Sequence, residues 1–230
     1  MRNQKILSVP RLAHYLLNIG LALGISLLPA AWATELPTDE PSAPFNDRTL
    51  KSWKEKSFSG NTHYEIVELD GTRVLKGSTE GAASILYKEQ TVDLRKKPII
   101  SWSWKIDGVY DDIDEKTRAG DDFPARLYVV SKTGILPWQT LAINYVWSSE
   151  QELGDSWSNP FTEKAKMIVV QSGNSNAGQW VTQTRNIAED FKTHFGKDIG
   201  KINGYAVMVD GDNANKTGTA WYADINFSEE

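Results

Sequence analysis

The stretch PIISWSWKIDGVYDDIDEKTRAGDDFPARLYVV, residues 98–130, decides how the chain folds. Ile100, Trp102, Trp104 and Ile106 alternate with Ser101, Ser103 and Lys105. A period of two puts the apolar side chains on one face of an extended strand and the polar ones on the other. A long acidic segment follows. Ala125 to Val130 is then a nearly continuous apolar run, as in a strand covered on both sides.

The same rhythm extends in both directions. Upstream, Tyr64 to Val67 and Arg73 to Lys76 flank Asp70-Gly71, a hairpin signal. Ala83 to Tyr87 and the brief Val92 to Leu94 follow. Downstream, Leu141, Ile143, Tyr145 and Trp147 alternate, with Ala142 and Asn144 opposite. Ser148 to Pro160 reads as a loop, Met167 to Val170 as a buried strand, and Trp180 to Arg185 as an extended segment. Tyr205, Val207 and Val209 alternate, and so do Trp221, Ala223, Ile225 and Phe227, around the turn Asp210-Gly-Asp-Asn213. One helix is expected. Asn186 is suited to its N-cap, Glu189 stands three residues on, and Ile187, Phe191 and Phe195 share a face before Gly196. About ten short strands, one short helix near 187–195 and no βαβ rhythm predict an all-β fold. The expected form is an antiparallel two-sheet sandwich, jelly-roll or galactose-binding-like, with a closed barrel as the alternative.

The ends are of another character. Arg2, Lys5 and Arg11 precede the apolar run Leu16 to Leu28, which closes on Ala31-Trp32-Ala33. This is the pattern of a secretory signal peptide over 1–33. Residues 34–48, with Pro37, Pro41 and Pro44 among acidic and hydroxyl residues, read as a linker, and 49–230 as the β-sandwich domain. The expected location is therefore the periplasm or the exterior, with no membrane span after cleavage. Loss of the leader leaves 22 Lys+Arg against 30 Asp+Glu, a net charge of −8. Such a balance excludes a nucleic-acid-binding footprint. The absence of cysteine excludes disulfides, thiolate nucleophiles and Cys-based metal sites. Oligomeric state is not written in the sequence.

Catalytic motifs fail where they begin. Gly173-Asn-Ser-Asn-Ala177 lacks the last glycine of a nucleophile elbow, and Gly196 to Lys201 is one residue short of a phosphate-binding loop. The acidic segment holds Asp107, Asp111, Asp112, Asp114, Glu115, Asp121 and Asp122 against Lys116 and Arg118. Crowded carboxylates repel unless a cation, an arginine or water relieves them. Asp121 or Asp122 is placed to neutralise Arg126 at the mouth of a buried strand, while Asp111 to Glu115 read as a solvated loop. Asp210-x-Asp212 opens like a calcium loop but fails the pattern at Ala214, which leaves a one-off calcium turn using Asp210, Asp212 and Asn213. Asx side chains bonding their own backbone are the competing explanation. Trp138, Trp147, Trp157 and Trp180 lie on or beside Gly/Asn/Ser/Pro loops, where flat rings suit a pyranose face.

Trp102-Ser-Trp104-Lys, Gly120-Asp-Asp-Phe-Pro-Ala-Arg126, Tyr145-Val-Trp147, Arg185-Asn186, Phe195-Gly196 and Asp210-Gly-Asp-Asn213 occur in this order. Together they resemble the bacterial exported family catalogued as domain of unknown function 3047, from about Trp53 to Phe227. The resemblance implies no activity. It marks Asp121, Asp122, Arg126, Arg185, Asn186, Asp210, Asp212 and Asn213 as the positions to inspect. The closing Trp221 to Phe227 is similar to the last strand of galactose-binding-like jelly rolls and carbohydrate-binding modules, a likeness of fold. The expectation is a non-catalytic binding protein for a glycan or other polar envelope ligand, using Asp121, Asp122, Arg126, Arg185, Asn186 and Trp147. The rivals are a glycan hydrolase pairing Asp121 or Asp122 with Asp210, and a structural envelope protein without a ligand.

Overall fold

The computed structural model describes residues 45–69, 71–134, 136 and 139–229. The expected leader, nearly all of the linker, Asp70 and Trp138 lie outside them. No described helix is long and apolar enough to cross a membrane.

A short helix, α1 (Asp47–Leu50), leads into β1 (Lys54–Ser59), β2 (His63–Leu69), β3 (Thr72–Glu80), β4 (Ala83–Asp93) and β5 (Ile99–Ile106). After the acidic segment come β6 (Ala125–Lys132), β7 (Thr140–Ser148), β8 (Ser156–Asn159), β9 (Thr162–Ser172) and β10 (Val181–Asn186). Then α2 (Ile187–Phe195), β11 (Lys201–Asp210) and β12 (Thr217–Ser228) complete the domain. Seven strands form one sheet in the order β1-β4-β11-β6-β7-β9-β8, and five form the other in the order β10-β5-β12-β3-β2. The expected all-β two-sheet sandwich is the fold observed.

Three local expectations change. Val92 and Leu94 do not make a separate strand, because β4 runs on through Asp93. The supposed loop 148–160 contains β8, which hairpins back on β9. This places β9 beside β7 in parallel, so the larger sheet is not wholly antiparallel. By contrast α2 begins and ends as expected. Asn186 Oδ1 accepts the Glu189 amide at 3.1 Å, and Gly196 takes φ 64° while its amide donates to the Lys192 carbonyl. That left-handed backbone conformation favours glycine.

The core lies between the sheets, and the opening stretch fills its centre. Trp102, Trp104 and Trp147 are fully enclosed. Trp102 and Trp104 meet edge to face at 5.3 Å, Trp104 meets Trp147 at 5.8 Å, and Trp102 meets Tyr145 at 5.3 Å. Such pairs contribute roughly 0.5–1.5 kcal/mol each beyond the burial of their area. The pleat then dictates what lies on the other side. Because Leu127, Ile143, Tyr145 and Val207 face inward, Arg126, Tyr128, Asn144, Ala206 and Met208 must face outward on the seven-stranded sheet. Pairing aligns them across the sheet. Met208 is opposite Arg126, Ala206 is opposite Tyr128, and Tyr128 is in turn opposite Asn144.

Candidate functional site

Arg126 is the centre of the outer-face cluster. It interrupts the apolar side of β6 and is 2% exposed. A buried guanidinium needs a carboxylate and further acceptors to offset its lost hydration. Asp210, the last residue of β11, supplies the carboxylate. Arg126 Nε donates to Asp210 Oδ1 at 2.8 Å, and Nη2 donates to Asp210 Oδ2 and to the Asp121 carbonyl. Nη1 reaches the Tyr128 hydroxyl at 3.3 Å. The guanidinium also lies 4.4 Å from the centre of the Phe123 ring. Burial pulls the Asp210 carboxyl upward in pKa, and the guanidinium opposes it.

The acidic segment is built to deliver Asp121 and Asp122 to this point. Thr117 donates to the Asp114 carbonyl through both its amide, at 2.9 Å, and its hydroxyl, at 2.8 Å. Gly120 packs so closely on this turn that an added Cβ would sit 2.7 Å from the Asp114 carbonyl carbon. Glycine at 120 therefore lets the chain fold tightly just before the two aspartates. The segment is also anchored from below. Glu115, expected in solvent with Asp111, Asp112 and Asp114, is instead fully buried. It accepts the Ser149 amide at 2.6 Å and the Ser148 hydroxyl. Asp111, Asp112 and Asp114 are exposed, as expected.

Asp122 is wholly buried and serves as a clip. Its Oδ1 accepts the Asn213 amide and Asn213 Nδ2, each at 3.1 Å, and its Oδ2 accepts the Ala214 amide at 2.6 Å. It thereby fixes the turn after β11 to the segment before β6. Asp121 is less fully committed. Its Oδ2 accepts Asn159 Nδ2 at 2.9 Å. Its Oδ1 lies 3.5 Å from Arg126 Nη1 and takes no hydrogen bond among the described residues. Burial pushes the Asp121 carboxyl up to about 6, against the opposing charge of Arg126. Asp212 is half-buried, and it too is raised, by burial and then by the charge of Asp122.

These groups border a hollow of about 20 Å³ on the outer face, lined by Asp121, Asp212, Asn213, Asn159, Asn144 and Tyr128 with Arg126 and Asp210 beneath. That is room for a single water-sized group. Asn144 is 1% exposed, and its Oδ1 also lacks a hydrogen-bond donor among the described residues. Phe58 contributes an apolar ring to the same lining.

Six of the expected site residues thus meet: Asp121, Asp122, Arg126, Asp210, Asp212 and Asn213. They meet in a closed knot with one small opening, not in a wide cleft. The calcium turn is changed by this arrangement. Carboxylate oxygens of Asp122, Asp210 and Asp212 lie within 4.8 Å of one another. Yet Asp210 is spent on Arg126 and Asp122 on backbone amides, and Asn213 acts as a donor to Asp122 and Asp212. A cation would have to displace those donors.

Three expected residues lie elsewhere. Arg185 stands on the five-stranded sheet and grips Asp190 of α2, with Nε 3.0 Å from Oδ2 and Nη2 on Oδ1. Tyr145 OH completes that group at 2.8 Å from Asp190 Oδ2. Asn186 is the N-cap of α2. Trp147 is a correction: it is fully enclosed in the core, with Nε1 on the Gly173 carbonyl at 3.0 Å, and presents no face to a ligand. Trp157 and Trp180 do reach the surface. Tyr128, Asn144 and Asn159 were not expected at the site. Asn144 carried a signal, a lone amide between Ala142 and Val146 on the apolar outer side of β7.

Residues 51–226 match the family described as "Protein of unknown function (DUF3047)". No curated protein matches the chain. Among solved structures, the carbohydrate-binding module TmCBM61 in complex with beta-1,4-galactotriose is 14% identical. The likeness covers 79% of this chain and 90% of that one, at a TM-score of 0.39. A non-crystalline-cellulose-specific module, CBM28, is also 14% identical, covering 84% and 98% at a TM-score of 0.43. A cellulase derived from Cel12A of Rhodothermus marinus is 9% identical, covering 77% and 99% at a TM-score of 0.39.

Proposed function

The chain belongs to that family, which names no activity, and we propose that it is an exported, non-catalytic binding protein for a hydroxyl-rich ligand, a glycan. The observation that carries this reading is the pair of buried acceptors, Asn144 Oδ1 and Asp121 Oδ1, beside one 20 Å³ hollow. A buried acceptor left without a donor costs roughly 1–3 kcal/mol. A ligand hydroxyl is the right size and brings an O–H donor. Its own oxygen can accept from the amide groups around the opening. The rest of a sugar ring would lie over the outer face of the seven-stranded sheet beside Phe58.

The same geometry disfavours hydrolysis. Glycoside hydrolysis by an acid pair needs two carboxyl groups free to attack or to exchange a proton. Asp210 and Asp122 are held by strong donors, so neither is free to serve as nucleophile or base.

Calorimetric titration with a panel of soluble neutral oligosaccharides tests the proposal. At least one is expected to bind, and Asn144→Leu is expected to abolish binding while the circular dichroism spectrum stays unchanged. Absence of any binder, or binding indifferent to Asn144→Leu, would remove the reading. Export is tested separately by the mass of the protein recovered from the periplasm, which should begin near Thr34.

A further inference from the structure

The middle and the C-terminal end of β11 border different hollows. Asp210 borders the one described above. Tyr205, five residues earlier and facing into the sandwich, borders a larger one of about 490 Å³ beside β4, β12 and the segment leading into β1. That volume falls within the range of small-ligand sites. Its wall is aromatic. Trp53 stands edge-on to Tyr205 at 5.3 Å, and Tyr205 meets Phe227 at 5.2 Å.

The rim is cationic. Lys88, Lys96 and Lys97 line it, and none is held in an ion pair among the described residues. Asp93 also lines the hollow, but Arg95 occupies both its oxygens at 2.9 Å each. Asp224, the other acid there, takes no ion pair among the described residues. It is exposed, adopts φ 54°, and sits where a bulge breaks the register of β12 between Ala223 and Asn226. Bulges re-aim side chains next to sites, and a non-glycine residue at positive φ is a local strain that the surrounding structure must sustain. In a chain of net charge −5, three lysines against two aspartates around one aromatic hollow are a local reversal of sign.

We infer that this hollow is a second binding site, for an acidic sugar unit whose carboxylate lies among Lys88, Lys96 and Lys97 and whose ring lies against the Trp53–Tyr205–Phe227 wall. Asp224 and Asn226 are placed to meet its hydroxyls. The inference rests on the glycan reading for the class of ligand alone, because the two hollows share no lining residue.

The test uses oligogalacturonate and its methyl ester, which keeps the ring and removes the charge. Both are titrated calorimetrically into the full chain at two salt concentrations. The acid is expected to bind, to weaken as salt rises, and to bind about tenfold more tightly than the ester. The double variant Lys96→Glu/Lys97→Glu, on exposed positions that do not hold the fold, is expected to lose about tenfold in affinity for the acid. Asn144→Leu should leave acid binding unchanged, so failure of the outer-face hollow is separable from failure of this one. No binding of the acid, equal binding of acid and ester, or indifference to the lysine reversal overturns the inference. A further outcome also does so. If Glu35→Gln/Asp39→Asn/Glu40→Gln tightens acid binding tenfold, the hollow belongs to the chain's own acidic segment.

Discussion

Arg126 and Arg185 each hold one aspartate through Nε and Nη2, yet they sit in different electrostatic company. Arg185 is a third exposed at its side chain, and Asp190 opposite it is completed by Tyr145 OH. One charge meets one charge, every strong acceptor there is used, and the pair braces α2 against the sandwich. Arg126 is buried, and four aspartates gather around it. Asp210 and Asp122 are saturated, but Asp121 keeps an unmet oxygen beside a hollow. The lesson is that an arginine–aspartate pair does not by itself mark a site. What separates the two is surplus: more acceptors than the protein has donors for.

The contrast can be broken most sharply by removing each arginine. Arg126→Met leaves Asp210 buried without its partner and is expected to cost about 3–5 kcal/mol in urea unfolding. Arg185 is a third exposed, and Arg185→Met should cost only about 1 kcal/mol, since water can replace the lost donor. Equal losses would erase the distinction.

The next effect is one of pH. Asp121 is raised to about 6 in the folded protein from an ordinary 3.8. Between those values the native state keeps a proton that the unfolded chain has lost. Stability from this group is therefore fully present below about pH 4 and falls as pH rises through about 6, by up to about 3 kcal/mol. Urea midpoints compared at pH 4.5 and 7 should show that fall in the wild type and a flatter profile in Asp121→Asn. A parallel fall in both would place its cause in other groups.

Asn144→Leu should raise stability by about 1–2 kcal/mol, because a buried acceptor without a donor is removed. The same change should abolish glycan binding. A loss of stability would mean that the amide is satisfied in solution. The smallest effect belongs to Asn186→Ala. Loss of the α2 cap should lower the urea-derived stability by about 1 kcal/mol and leave ligand affinity untouched.

The positions of the site were legible one by one. Arg126 stood out as a charge in an apolar strand, Asp121 and Asp122 as a carboxylate pair just before it, and Asp210 to Asn213 as a polar turn. Their division of labour was not legible. Asp122 and Asn213 are separated by 91 residues, and only the approach of the two segments turns one into the clip of the other. Glu115 shows the same limit: nothing in its neighbours announces that Ser148, the last residue of β7, and Ser149 after it will reach it. Trp147 misled because a tryptophan beside a polar loop reads alike whether it faces the core or the solvent.

The sequence by itself determined the alternation of strands, the cap and stop of α2, and which side of each strand is apolar. These follow from periods of two and 3.6 and from the backbone preferences of Asn and Gly, all of which act within a few residues. Only the tertiary structure decided that β9 runs parallel to β7, that Asp210 comes from 84 residues away to share Arg126 with Asp121, and that the surplus of acceptors there opens on a hollow of about 20 Å³. Those outcomes depend on which side chains meet across the sandwich. Whether a carboxylate is spent or available is set by the donors that long-range pairing brings within 3 Å of it.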